Sequence, residues 1–197
     1  MKKALKNLAV FCILAIIIAG IILPRELNNL DEIWNFNFAR NIANGLVPYK
    51  DFNMVQTPLL SMVCGIILRV FGTELFIMRI IAVILCSLIM LSAYKILEKL
   101  EIPTTLKYLF LIVTIFLYKE YFCVDYNFAV LWITLLVILL ELKNLEKKSG
   151  KLNFFSGILI GVSILTKQTT GIFLALVFLF YKILIINNKD EIKEYGK

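Results

Sequence analysis

The chain has 197 residues, 60% of them hydrophobic, a mean hydropathy of +0.87 and a formal net charge of +7. Soluble domains run at about 45–50% apolar, so one small core cannot hide this excess and much of it must face a bilayer. There is no histidine, which excludes Ser–His–Asp triads and histidine acid–base or metal chemistry, and no basic cluster is interleaved with aromatics outside the apolar runs, which argues against a nucleic-acid partner. The four cysteines, Cys12, Cys64, Cys86 and Cys123, have no CxxC spacing and read as small packing residues.

The N-terminus, MKKALKN followed by the apolar run 8–23, resembles a signal sequence in layout. No A-x-A site follows and the run closes on Leu23, Pro24 and Arg25, so it reads as an uncleaved first span. Residues 30–44 predict a helix. Asn29 is its N-cap, Glu32 the capping-box partner, and Trp34, Phe38 and Ile42 form an apolar stripe, with Gly45 as stop and Pro48 beyond. This helix is too polar to span and is expected on the membrane surface or against the bundle. Thr57-Pro58 opens a helix over 58–71, with Arg69 in its last turn. It measures roughly 21 Å, short of a hydrocarbon core of about 30 Å, and reads as interfacial or re-entrant.

Residues 75–97 are long enough to span, with Arg79 near the start and Lys95 and Lys99 at the far end. A third span covers 105–118, followed by the polar segment KEYFCVDYN. A fourth covers 128–142 and ends in the basic KNLEKKSGK. The runs 154–165 and 171–186 flank TKQTT. One continuous helix would bury Lys167 at a cost of at least ~2.5 kcal/mol. Two spans joined by a tight turn avoid this.

With six spans, fourteen of the 21 basic residues fall on one side: Lys2, Lys3, Lys6, Lys95, Lys99, Lys107, Lys143, Lys147, Lys148, Lys151, Lys182, Lys189, Lys193 and Lys197. The other side holds Arg25, Arg40, Lys50, Arg69, Arg79, Lys119 and Lys167, while the acids divide evenly. The positive-inside rule then places both termini in the cytoplasm of a cell (plasma) membrane protein. The expected fold is all-α and polytopic: about six transmembrane helices and two interfacial helices, in a single transmembrane module over 1–197. Residues 24–74 form the first extracytoplasmic loop.

The outer face gathers Asp31, Glu32, Lys50, Asp51, Arg79, Asp125 and Lys167. Carboxylates there can act as general bases or bind a divalent cation, and the cations can bind phosphate. Each has a structural alternative. Asp31 and Glu32 suit the first turn of a helix dipole, Asp125 can cap the next helix, Lys167 can snorkel, and Arg79 can pair with Glu74 or a lipid phosphate. Gln168, Thr169 and Thr170 offer amide and hydroxyl contacts or simply complete the turn.

The order of these features is familiar: an outer "DE" pair after the first span, a helix, "NGLVPYKDFNMVQTPLL", a short helix ending "VFG", an arginine opening the next span, then "DYN" and "GVSILTKQTTG". This order resembles the N-terminal half of bacterial GT-C glycosyltransferases, the group that includes protein O-mannosyltransferases and the aminoarabinose transferase of lipid A. The resemblance implies a polyprenyl-phosphate-linked sugar donor and transfer to an acceptor hydroxyl at the outer face. It implies Asp31, with Glu32 beside it, as base or metal contact. Asp125 becomes a second acid, and Lys167 lies at the donor phosphate, aided by Arg79 and Gln168. Any divalent cation would sit on Asp31 and Asp125. Family members continue with further spans, so a C-terminal half or a partner subunit is expected to complete the enzyme. The rival class is a non-enzymatic membrane component: a lipid-carrier flippase, a transporter or a partner-binding remnant. A transporter gathers polar groups near the midplane, whereas these charges gather at one surface.

Overall fold

The computed structural model describes residues 2–27 and 29–186. Lys189, Lys193 and Lys197, counted above on the inner side, lie outside the described residues. Eight helices follow one another: α1 Lys2–Ile22, α2 Leu30–Ala43, α3 Leu59–Phe71, α4 Leu75–Lys99, α5 Thr104–Tyr118, α6 Tyr126–Lys147, α7 Gly150–Thr166 and α8 Gln168–Ile186. The described residues contain no strand, only an isolated bridge between Pro48 and Phe52. Four helices, α1, α4, α6 and α8, are long and apolar enough to cross a membrane, and α3, α5 and α7 are shorter apolar helices. The protein is an all-α, polytopic membrane protein.

Helix α4 is the centre of the bundle, and its buried residues run all round it, from Met78 and Arg79 to Ser92 and Tyr94. Its two buried serines satisfy themselves locally, Ser87 Oγ donating to Val83 O and Ser92 Oγ to Leu88 O. Against one side lies α1, which buries Val10, Leu14, Ile18 and Ile22, a strict i, i+4 stripe. The two helices are antiparallel. Arg79 at the start of α4 meets the end of α1, and Glu98 near its finish pairs with Lys6. On the other side lies α6, parallel to α4, since Lys99 and Glu146 pair at their C-terminal ends. Helix α5 returns alongside α4, bringing Tyr108 of its first turns beside Tyr94.

Helices α7 and α8 form the antiparallel hairpin expected around TKQTT. Only Lys167 separates them, with extended backbone angles (φ −150°, ψ 105°). Lys182 in α8 reaches Glu141 of α6 and Asn153 of α7, and Ser156 Oγ also donates to Glu141. Gly171 lies so close to α7 that a Cβ there would fall on the backbone N and Cα of Ile164. The close approach makes the hairpin possible.

In the first loop, Asn29 caps α2 as expected, accepting from the amides of Asp31 (2.9 Å) and Glu32 (3.3 Å). The helix stops in a Schellman motif: Gly45 (φ +89°) donates to Ile42 O and Leu46 N to Asn41 O. The buried face differs from the Trp34–Phe38–Ile42 stripe. Glu32, Asn35, Ala39 and Ala43 turn inward, while Trp34 is exposed. Small residues win this face because α2 packs closely on α3: a Cβ on Gly65 would stand 2.8 Å from Ile42 Cγ2 and 3.0 Å from Ala39 O. Helix α3 begins one residue later than expected, at Leu59, and the buried Thr57 hydroxyl finds no partner among the described residues.

Candidate functional site

Several chain segments meet at the end of the bundle where α1 finishes and α2, α4 and α6 begin. Glu32 is almost fully buried there and is held by two arginines. Arg79 Nε donates to Oε1 at 2.9 Å, and Arg79 Nη2 and Arg25 Nη2 each donate to Oε2 at 3.3 Å. Arg79 Nη1 also donates to Leu23 O and Arg25 O. Arg25 reaches the segment before α6 and donates to the carbonyls of Lys119, Glu120 and Phe122, the last at 2.8 Å. One carboxylate and two guanidiniums thus tie together α1, α2, α4 and the 119–125 segment. The planar guanidinium, with five fixed donors, is suited to such a junction.

Asp31 and Glu32 are neighbours in sequence with different surroundings. The Glu32 side chain turns into the arginine pair rather than back to the cap. Asp31 stays partly exposed at the first turn of α2, where the helix dipole favours its charge. Asp125 stands at the N-cap position of α6 and is 4% exposed. Its Oδ2 accepts from Asn127 Nδ2 at 2.7 Å, and its buried Oδ1 has no hydrogen-bonding partner among the described residues. Burial, and then the nearby charge of Asp31, push the Asp125 carboxyl above the usual carboxylate range, against the opposing Asn127 hydrogen bond.

Lys167, at the α7–α8 turn, reaches across to Asn127 Oδ1 and lies over the Tyr126 ring at 5.2 Å from its centroid. Tyr126 in turn meets the Gln56 side chain. The structure therefore brings Asp31, Asp125 and Lys167 to one end, linked through Tyr126 and Asn127. It does not bring all the expected residues into one open site. Arg79 spends its donors on Glu32 and on backbone carbonyls. Gln168 is exposed and makes no contact with this group. Asp51 closes its own turn by accepting from Val47 N at 2.8 Å. Arg25, Asn127, Tyr126 and Gln56 were not singled out by sequence reasoning. Asn127 and Tyr126 stand in the "DYN" that also holds Asp125, and Gln56 stands in "NGLVPYKDFNMVQTPLL".

No group of three or more acidic or cysteine side chains fit to hold a metal occurs among the described residues. The Asn127 oxygen is taken by Lys167, so the orphaned Asp125 Oδ1 and the partly exposed Asp31 carboxylate would be the ligand groups for a hard divalent cation that keeps most of its water. The four cysteines are free thiols, and Cys123 lies buried two residues before Asp125.

A sequence model described as dolichyl-phosphate-mannose-protein mannosyltransferase matches residues 55–195. The chain belongs to this family. It is therefore a GT-C type membrane glycosyltransferase by family. The matched segment includes Asp125 and Lys167, whereas Asp31, Glu32 and Arg25 precede it. No curated protein and no solved structure matches the chain.

Proposed function

We propose that this mannosyltransferase-family chain transfers a sugar from a polyprenyl-phosphate-linked donor to an acceptor hydroxyl, at the outer face of the plasma membrane, with both termini cytoplasmic. The observation that carries this reading is the gathering of Asp31, Asp125 and Lys167 at one end of an apolar bundle, with a buried carboxylate oxygen left unpaired. Asp31, the more accessible acid, takes the proton of the acceptor hydroxyl. The freed oxygen attacks the anomeric carbon from the side opposite the phosphate. The C–O bond to phosphate breaks, and its electron pair leaves with the polyprenyl phosphate, giving inversion. Lys167 offsets the charge that develops on the leaving phosphate. Asp125 orients this lysine through Asn127, which bonds both side chains. A divalent cation, if held by Asp31 and Asp125, would supply further charge to the same phosphate. Glu32, Arg25 and Arg79 form the frame.

The test is transfer of a radiolabelled sugar from a polyprenyl-phosphate donor by membranes containing the protein. Asp31→Asn is expected to lower the rate by about 10²–10⁴ with the protein level unchanged. Lys167→Met is expected to weaken donor binding, and Lys167→Arg to keep part of it. Wild-type turnover in Asp31→Asn would remove Asp31 from the chemistry, and wild-type donor affinity in Lys167→Met would leave the lysine as an anchor.

A further inference from the structure

At the opposite end of the bundle from Asp31, a cavity of about 370 Å³ opens between α1, α4 and α6, lined by Asn7, Lys95, Glu98, Lys99, Leu139, Leu140 and Lys143. Its charges are unevenly matched. Glu98 pairs with Lys6, and Lys99 with Glu146. Lys95 and Lys143, one from each flanking helix, have no acidic partner or hydrogen bond among the described residues. The cavity therefore carries two uncompensated positive charges, enough for one phosphate group. Its remaining wall is apolar, through Leu139 and Leu140. The Asn7 Oδ1 atom is buried and accepts no hydrogen bond from the described residues.

We propose that this cavity binds the headgroup of an anionic phospholipid, with the phosphodiester between Lys95 and Lys143 and the acyl chains along the leucine wall. Three observations select a lipid over a free phosphate. The cavity sits at the ends of three of the four helices long enough to cross a membrane, where a bilayer must place its headgroups. The leucines would be idle against an inorganic anion. The orphaned Asn7 oxygen calls for a donor such as the hydroxyl of a glycerol headgroup. Basic pockets between spans commonly recognise lipid headgroups in this way. The site is separate from the transfer reaction and does not rest on it.

The experiment is native mass spectrometry of the full chain, purified in detergent and titrated with phosphatidylglycerol or phosphatidylcholine. The wild type is expected to retain phosphatidylglycerol selectively. Lys95→Gln with Lys143→Gln should weaken it by about 30-fold, at about one lipid-facing charge each. Lys147→Gln with Lys151→Gln, the same charge change at the same end outside the cavity, should change it less than about twofold. Asn7→Leu should reduce the preference for phosphatidylglycerol over phosphatidic acid. The thermal unfolding midpoint should rise with phosphatidylglycerol in the wild type and stay level in the Lys95/Lys143 variant. Equal losses in the two double variants would overturn the site in favour of general surface charge. Equal retention of phosphatidylcholine would overturn it as well. Displacement of the lipid by millimolar inorganic phosphate would show that the pocket takes a free phosphate and defeat the lipid assignment.

Discussion

At Glu32 a buried carboxylate faces two buried guanidiniums, so its removal leaves uncompensated charge in a dry site. Glu32→Gln is expected to cost about 3–5 kcal/mol of stability, seen as a lowered unfolding midpoint in detergent and a reduced protein level. Asp31→Asn, one residue earlier and partly exposed, should leave the midpoint close to wild type. A stable Glu32→Gln protein would show that the arginines find other partners. Asp125 makes a second prediction at the same scale. Its carboxyl is pushed up by burial and by Asp31, so it binds a proton in the folded protein at pH values where the unfolded chain has lost it. Burying the charge costs stability above the raised pKa, and that cost is relieved as pH falls through it. The wild type should therefore gain stability relative to Asp125→Asn as pH is lowered from 7 towards 4, and a constant difference would rule out the buried charge. None of this divergence between Asp31 and Glu32 was legible in "DE". Which acid is buried depends on Arg25 and Arg79, one just before and the other far after the pair.

Among the elements, two close helix approaches rest on glycine. At Gly65 a methyl group would meet Ile42 Cγ2 at 2.8 Å, which can rotate, and Ile42 Cβ and the Ala39 carbonyl at 2.9 and 3.0 Å, which yield only if α2 shifts by a few tenths of an ångström. At Gly171 it would meet backbone, which cannot move aside without opening the hairpin. Gly171→Ala is therefore expected to cost about 1–3 kcal/mol and Gly65→Ala less, by the same unfolding measurement. Gly171→Ala should also weaken donor binding, because the turn that it widens carries Lys167. If the order of stabilities were reversed, the hairpin would be looser than its geometry implies. The hairpin itself was readable from the cost of burying Lys167. The inward face of α2 was readable only in part: Ile42 of the apolar stripe meets Gly65, but Trp34 is exposed and Ala39 and Ala43 take the buried positions.

For the whole molecule, six helices alternate in direction: α1, α4, α5, α6, α7 and α8. This is the alternation that the charge count demands. Reporter fusions after Lys151 and Lys189 should give a cytoplasmic signal, and fusions near Asn53 and Asp125 an external one. A cytoplasmic signal at Asn53 would overturn this topology, since α1 alone separates Asn53 from the cytoplasmic N-terminus. The apolar helices, the capping of α2 by Asn29, the helical break at Lys167 and the all-α class followed from the sequence by itself, because hydropathy, capping and the cost of a buried charge act over a few residues. The tertiary structure alone decided which charges meet. It seated Glu32 between Arg25 and Arg79, placed Lys167 against Asn127 from 40 positions away, and left Asp125 Oδ1 without a partner among the described residues. Those outcomes depend on how the helix ends come together, and in a membrane bundle that is fixed by close packing between helices, which local sequence does not encode.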